Sequence, residues 1–216
     1  MSNADRSSVI REKLASVSAS VRLLFFEQSL GCDSCAPTRR LLEQLADLCP
    51  YLTVEVLNLI LDKDRAAQHG VDRVPAVVVS SPNRDRIRFY GSPAGHELMS
   101  LLDAIEITGS GDSGLTEHSR TQLATLTTAV KLLVFFTPSC VYCPQMVTLG
   151  SRLAIESPMV SITAIDATEY PDLVQRYGVN GVPKTVINDQ REIVGAAGES
   201  ELVAAVMQIQ EARRCD

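Results

Sequence analysis

Two nearly continuous apolar runs, Val21–Glu27 and Val130–Phe136, are each closed by polar or turn residues. That is the pattern of a short strand covered on both faces. An amphipathic stretch follows each run. Leu41, Leu42, Leu45 and Leu48 share one helix face in the first, and Met146, Leu149 and Leu153 do so in the second. The alternation then predicts strands over 52–59 and 159–165, and short helices over 62–69 and 169–177. Strands over 76–80 and 185–188 come next, then return strands over 86–90 and 191–194, and last helices over 94–107 and 199–213. Helix-like stretches over 6–19 and 116–129 precede the two apolar runs. Each half therefore reads as a strand–helix–strand unit followed by a hairpin and a helix. The expected fold class is α/β, with a mixed sheet flanked by helices.

The two halves also match residue by residue. Cys32 and Cys35 shifted by 108 fall on Cys140 and Cys143, and Val74-Pro75 falls on Val182-Pro183. Beyond the prolines the offset drops to 104 and pairs Gly91 with Gly195 and Leu98 with Leu202. The four missing residues are expected to come out of a turn, where Ser81-Pro82-Asn83-Arg84-Asp85 stands in the first half. A Gly/Ser-rich segment, Thr108 to Gly114, is flexible by composition and is read as the boundary. The expected division is 1–108, a linker over 109–115, and 116–216.

The 216 residues suit two domains of roughly 100 each. Net charge is −6, split as −2 over 1–108 and −4 over 109–216, with no basic stripe to recruit nucleic acid. No apolar run is long enough to span a bilayer, and no signal-peptide pattern is visible at the N-terminus. A cytoplasmic setting is expected. There thiols stay reduced, so a Cys-x-x-Cys pair reads as catalytic or metal-binding. A four-thiolate zinc site fits poorly, because such sites usually close over short loops and these pairs fall in separate predicted domains.

Disulfide exchange needs a thiolate nucleophile. Each pair stands where a strand ends and a helix begins, so unpaired N–H groups and the helix dipole favour an anion there. Cys32 and Cys140 are placed to attack, and Cys35 and Cys143, one turn on, to resolve the mixed disulfide. The contexts differ. Asp33 puts an acid beside Cys32, with Arg39 and Arg40 two turns along as partial compensation, whereas Val141 follows Cys140. Cys49 is expected to be a small buried residue, and His69, His96 and His118 to lie at the surface or at helix ends, without metal-ligand spacing.

Thr137-Pro138-Ser139-Cys140-Val141-Tyr142-Cys143-Pro144 resembles a glutaredoxin active site, and the tandem arrangement resembles the protein disulfide oxidoreductase family of archaea and bacteria. The resemblance implies two tandem thioredoxin-like domains and dithiol–disulfide exchange on protein substrates. Redox-active disulfides would be the only cofactor, with reducing power drawn from a thioredoxin reductase; the alternative expectation is a tandem thioredoxin-fold binding or electron-relay module for a peroxiredoxin or flavin reductase partner. It also implies that Pro75 and Pro183 are cis and face the Cys pairs, with the Val74 and Val182 backbones binding extended substrate. Tyr142 lines a substrate groove in this reading. Thioredoxins bury an Asp on the strand before the Cys pair; the positions assigned to it here are Phe26 and Val134, with Glu27 as a weak substitute.

Overall fold

The computed structural model describes residues 3–82 and 84–212. Arg213, Arg214 and Cys215 lie outside the described residues. The first half runs α1 (Asn3–Ala15), β1 (Val21–Glu27), α2 (Cys35–Asp47), β2 (Leu52–Asn58), α3 (Lys63–Gln68), β3 (Ala76–Ser81), β4 (Arg84–Tyr90) and α4 (Glu97–Ser110). The second repeats the order as α5 (Glu117–Ala124), β5 (Val130–Phe136), α6 (Cys143–Glu156), β6 (Val160–Asp166), α7 (Pro171–Arg176), β7 (Lys184–Ile187), β8 (Arg191–Val194) and α8 (Glu199–Ala212). The α/β expectation and the tandem element order are both met.

The strands form one eight-stranded sheet in the order β2-β1-β3-β4-β6-β5-β7-β8. The halves join through β4 and β6, which run parallel with Ile87 opposite Ile162 and Tyr90 opposite Ile165. The β1 and β5 strands are nearly all buried because helices cover both faces. On one face Leu23, Phe25, Leu132, Val134, Cys35 and Cys143 belong to a single apolar cluster that spans both halves. On the other, Leu24, Phe26, Leu133 and Phe135 pack with Ala66 of α3 and Leu173 of α7.

Strand registers correct two details of the repeat. Val21 pairs with Leu52 and Val130 with Val160, so β1 and β5 correspond at an offset of 109 rather than 108. The loop to Cys32 is thus one residue longer, and Gly31 in it takes a φ of 70° that suits glycine. A one-residue slip exchanges the two faces of a strand, so the counterpart of Val134 is Phe25 rather than Phe26. The four residues missing from the second half are also not a turn deletion. They shorten the hairpin strands, 76–81 and 84–90 against 184–187 and 191–194.

The Gly/Ser-rich segment is ordered where its composition suggested flexibility. Helix α4 continues through Thr108 and Gly109 to Ser110, and Gly111 closes it in the left-handed conformation at φ 71°. Both Thr108 and Gly109 are buried. A Cβ on Gly109 would stand 2.8 Å from Cγ1 of Val17, so the glycine serves close packing here. Ser113 is buried and donates its hydroxyl to Glu156.

Candidate active sites

Because β1 and β5 point the same way in the sheet, both Cys pairs emerge at the same sheet end, where each strand hands over to a helix. Each pair is closed as a disulfide, Cys32–Cys35 and Cys140–Cys143, with Cα atoms 5.4 and 5.5 Å apart. The second cysteine of each is buried at the first residue of its helix, while Cys32 and Cys140 are half-buried and reachable. Val74-Pro75 and Val182-Pro183 are both cis. Among the described residues, the backbones of Val74 and Val182 make no hydrogen bond, so their amides and carbonyls are free.

The two sites differ in their donors. At the second, the Cys143 amide donates to Sγ of Cys140 at 3.1 Å. At the first, the Cys35 amide donates instead to the Cys32 carbonyl at 3.3 Å. The helix terminus therefore presents an N–H to sulfur at Cys140 only. Arg39 does not compensate at the first site: it pairs with Glu27 at 3.3 Å and Glu43 at 2.8 Å. Glu27, the weak substitute for the buried Asp, is engaged through Oε1 in that pair.

The rims differ too. Leu30, two residues before Cys32, is strongly exposed at the first pair, and so are Val141 and Tyr142 at the second. Tyr142 projects into solvent at 67 % exposure. Cys49 is buried in the core as expected. His96 and His118 are exposed, whereas His69 is mostly enclosed, bonded through Nδ1 to Asp85 at 2.9 Å and tilted against Phe26.

A group of carboxylates between the halves was not legible in the sequence. The loop after β4 holds the second site: the His96 amide donates to the Pro138 carbonyl at 3.0 Å, two residues before Cys140. The next residue, Glu97, is fully buried with neither carboxylate oxygen hydrogen-bonded. Burial pushes its carboxyl up to about 7, and the charge of Asp166 adds to it. Asp166 is also raised, chiefly by burial, against two hydrogen bonds from Thr168. Glu97 can thus take up or release a proton near neutrality, beside the loop that carries Cys140. Its repeat counterpart, Glu201, is exposed, so the repeat held no signal for it.

Comparisons with known proteins agree with this geometry. The thioredoxin domain family matches residues 130–208. A thioredoxin of Methanocaldococcus jannaschii is 35% identical over 78 residues, covering 36% of this chain and 92% of that protein. An alkyl hydroperoxide reductase chain of Escherichia coli is 26% identical over 172 residues, 79% of this chain and 31% of that protein. The present chain thus spans about a third of the length of that relative. The crystal structure of a protein disulfide oxidoreductase from Aeropyrum pernix superposes with a TM-score of 0.89 at 30% identity, covering 98% of this chain and 94% of that one.

Proposed function

Since the chain belongs to the tandem thioredoxin-fold family of protein disulfide oxidoreductases, we propose that it passes electrons to protein disulfides through Cys140 and Cys143, with Cys32 and Cys35 as a second, slower pair. The observation that carries this reading is the Cys143 N–H aimed at Sγ of a reachable Cys140, with Cys143 itself buried behind it. A hydrogen bond to the sulfur favours the thiolate over the thiol.

The Cys140 thiolate attacks one sulfur of the substrate disulfide. The substrate S–S bond breaks, and its other sulfur leaves as a thiolate that takes a proton. Cys143, once deprotonated, attacks Sγ of Cys140, so the mixed disulfide breaks and the second substrate sulfur departs. Two electrons have moved to the substrate, and the pair is left as the disulfide described above. The free backbones of Val182 and Val74 pair with an extended substrate strand beside each site, and Tyr142 forms one wall of the groove at the second. The units are 1–108 and 116–216, joined by 109–115, with the last turn of α4 running into the join. The redox-active disulfides are the whole of the cofactor, and the reaction belongs in the cytoplasm, where a dithiol reductase can recharge each pair.

A second reading rests on the 79% of this chain that aligns with the alkyl hydroperoxide reductase of Escherichia coli: the pair relays electrons from a flavin reductase to a peroxiredoxin. Trapping tests the roles within the pair. Cys143→Ser should accumulate mixed disulfides that dithiothreitol releases, and Cys140→Ser should not; equal trapping by both would falsify the assignment. Reduction of insulin disulfides with dithiothreitol, set against reduction of an oxidised peroxiredoxin, separates general oxidoreductase from dedicated relay.

A further inference from the structure

We propose that the cleft between the two halves, on the sheet face away from the cysteines, binds a compact polyanion of the phosphate class. The cleft has a volume of about 270 Å³. Its floor is sheet, including Leu133 and Ile165 of the face that α3 and α7 cover, whereas Cys35 and Cys143 belong to the opposite face.

Four cations line the cleft: Arg73 and Arg88 from the first half, Lys131 and Arg176 from the second. Arg73 is already committed. It pairs with Asp72 and, across the halves, with Asp172, both at 3.1 Å, and lies over the rings of Tyr90 and Tyr170. The other three have no carboxylate partner among the described residues. Arg176 rests on the ring of Tyr177. Arg88 donates through Nη1 to the His69 carbonyl at 3.3 Å, and its buried Nε has no hydrogen-bond partner. Asp72, neutralised by Arg73, is the one carboxylate among the lining residues.

Three uncompensated cations converging on one concavity are unexpected in a chain of net charge −6. Like charges repel, and an arginine Nε left buried without an acceptor costs free energy. An anion removes both penalties. Two guanidinium groups and an ammonium suit phosphate oxygens, which accept forked pairs of N–H bonds. The size favours a compact group over a macromolecule, since the cleft is at or below the low end of small-molecule pockets at roughly 300 Å³. Phosphate oxygens of free pyrophosphate or of the tail of a nucleoside diphosphate share this chemistry. Because the cations come from both halves, such a ligand would fasten the β4–β6 junction.

The test uses the full chain with pyrophosphate, ADP and adenosine, read by calorimetric binding and by Tm at constant ionic strength. Pyrophosphate should bind saturably and raise Tm, because a ligand of the native state alone stabilises it. ADP binding more tightly than pyrophosphate, with adenosine inert, would identify a nucleoside diphosphate; equal binding would identify the free diphosphate. Lys131→Gln with Arg176→Gln removes two exposed cations that hold no ion pair, so the fold should be kept. The double variant should bind at least about ten-fold more weakly. Arg88→Gln should weaken binding as well, with far-ultraviolet circular dichroism reporting its fold. Absence of saturable pyrophosphate binding, or the same affinity in the double variant, overturns the proposal.

Discussion

The hydroxyl of Ser34, inside the first Cys pair, donates to the carboxylate of Glu169 in the other half of the chain. The same carboxylate accepts from the Ser92 amide at 2.8 Å. One acid thus ties the Cys32–Cys35 loop to the loop after β4 and to the end of β6. Removing one partner should destabilise the fold: Ser34→Ala and Glu169→Gln are each expected to cost about 1–2 kcal/mol. They share one bond, so the double variant should cost less than the two losses combined. Urea unfolding of the four proteins measures the coupling, and strictly additive losses would mean that the bond contributes nothing.

Sulfur environment separates the two sites. With both pairs reduced, Cys140 should react with iodoacetamide at lower pH than Cys32, because an N–H faces its sulfur and no acid follows it. A rate ratio of about two to ten at neutral pH is expected for such a difference. Asp33→Asn should accelerate Cys32 and leave Cys140 unchanged. The readout is alkylation against pH on variants that keep one attacking cysteine. A faster Cys32 in the parent protein would invert the ranking of the sites.

Glu97 makes stability depend on pH. Its folded carboxyl titrates at about 7 against an ordinary 4.5, so the folded state holds the proton more tightly than the unfolded one. The stabilisation is complete below about 4.5 and is lost as pH rises to about 7, a change of about 3 kcal/mol. Asp166, raised in the same sense, adds to the decline. Glu97→Gln should therefore flatten the profile and raise stability at pH 8 relative to the parent. Urea midpoints between pH 5 and pH 8 test this, and parallel profiles for the two proteins would refute it.

Gly109 tests the ordered boundary. In an exposed helix, Gly→Ala gains up to about 1 kcal/mol. Here the added methyl meets Val17 at 2.8 Å and Val21 at 3.3 Å, so Gly109→Ala should instead cost about 1–3 kcal/mol. A rise in Tm would indicate that α4 does not pack on the Val17–Val21 segment.

Much of this architecture was legible in the order of residues. Buried strands such as Val130–Phe136 are apolar throughout because helices cover both faces, and that pattern survives translation into sequence. The Cys-x-x-Cys and Val-Pro spacings mark both redox loops for the same reason: local chain geometry sets them. The sequence by itself therefore determined the element order, the repeat and the places of the two Cys pairs at the strand-to-helix turns. Three features were decided only by the tertiary structure. The halves share one sheet because Ile87 to Tyr90 pair with Ile162 to Ile165, a choice of partner strand that depends on long-range packing. Gly109 reads as a linker by composition and becomes a helix contact because Val17 leaves no room for a side chain. The proton-binding character of Glu97 comes from burial beside Asp166, and desolvation is a property of the surrounding fold that no neighbouring residue in the chain announces.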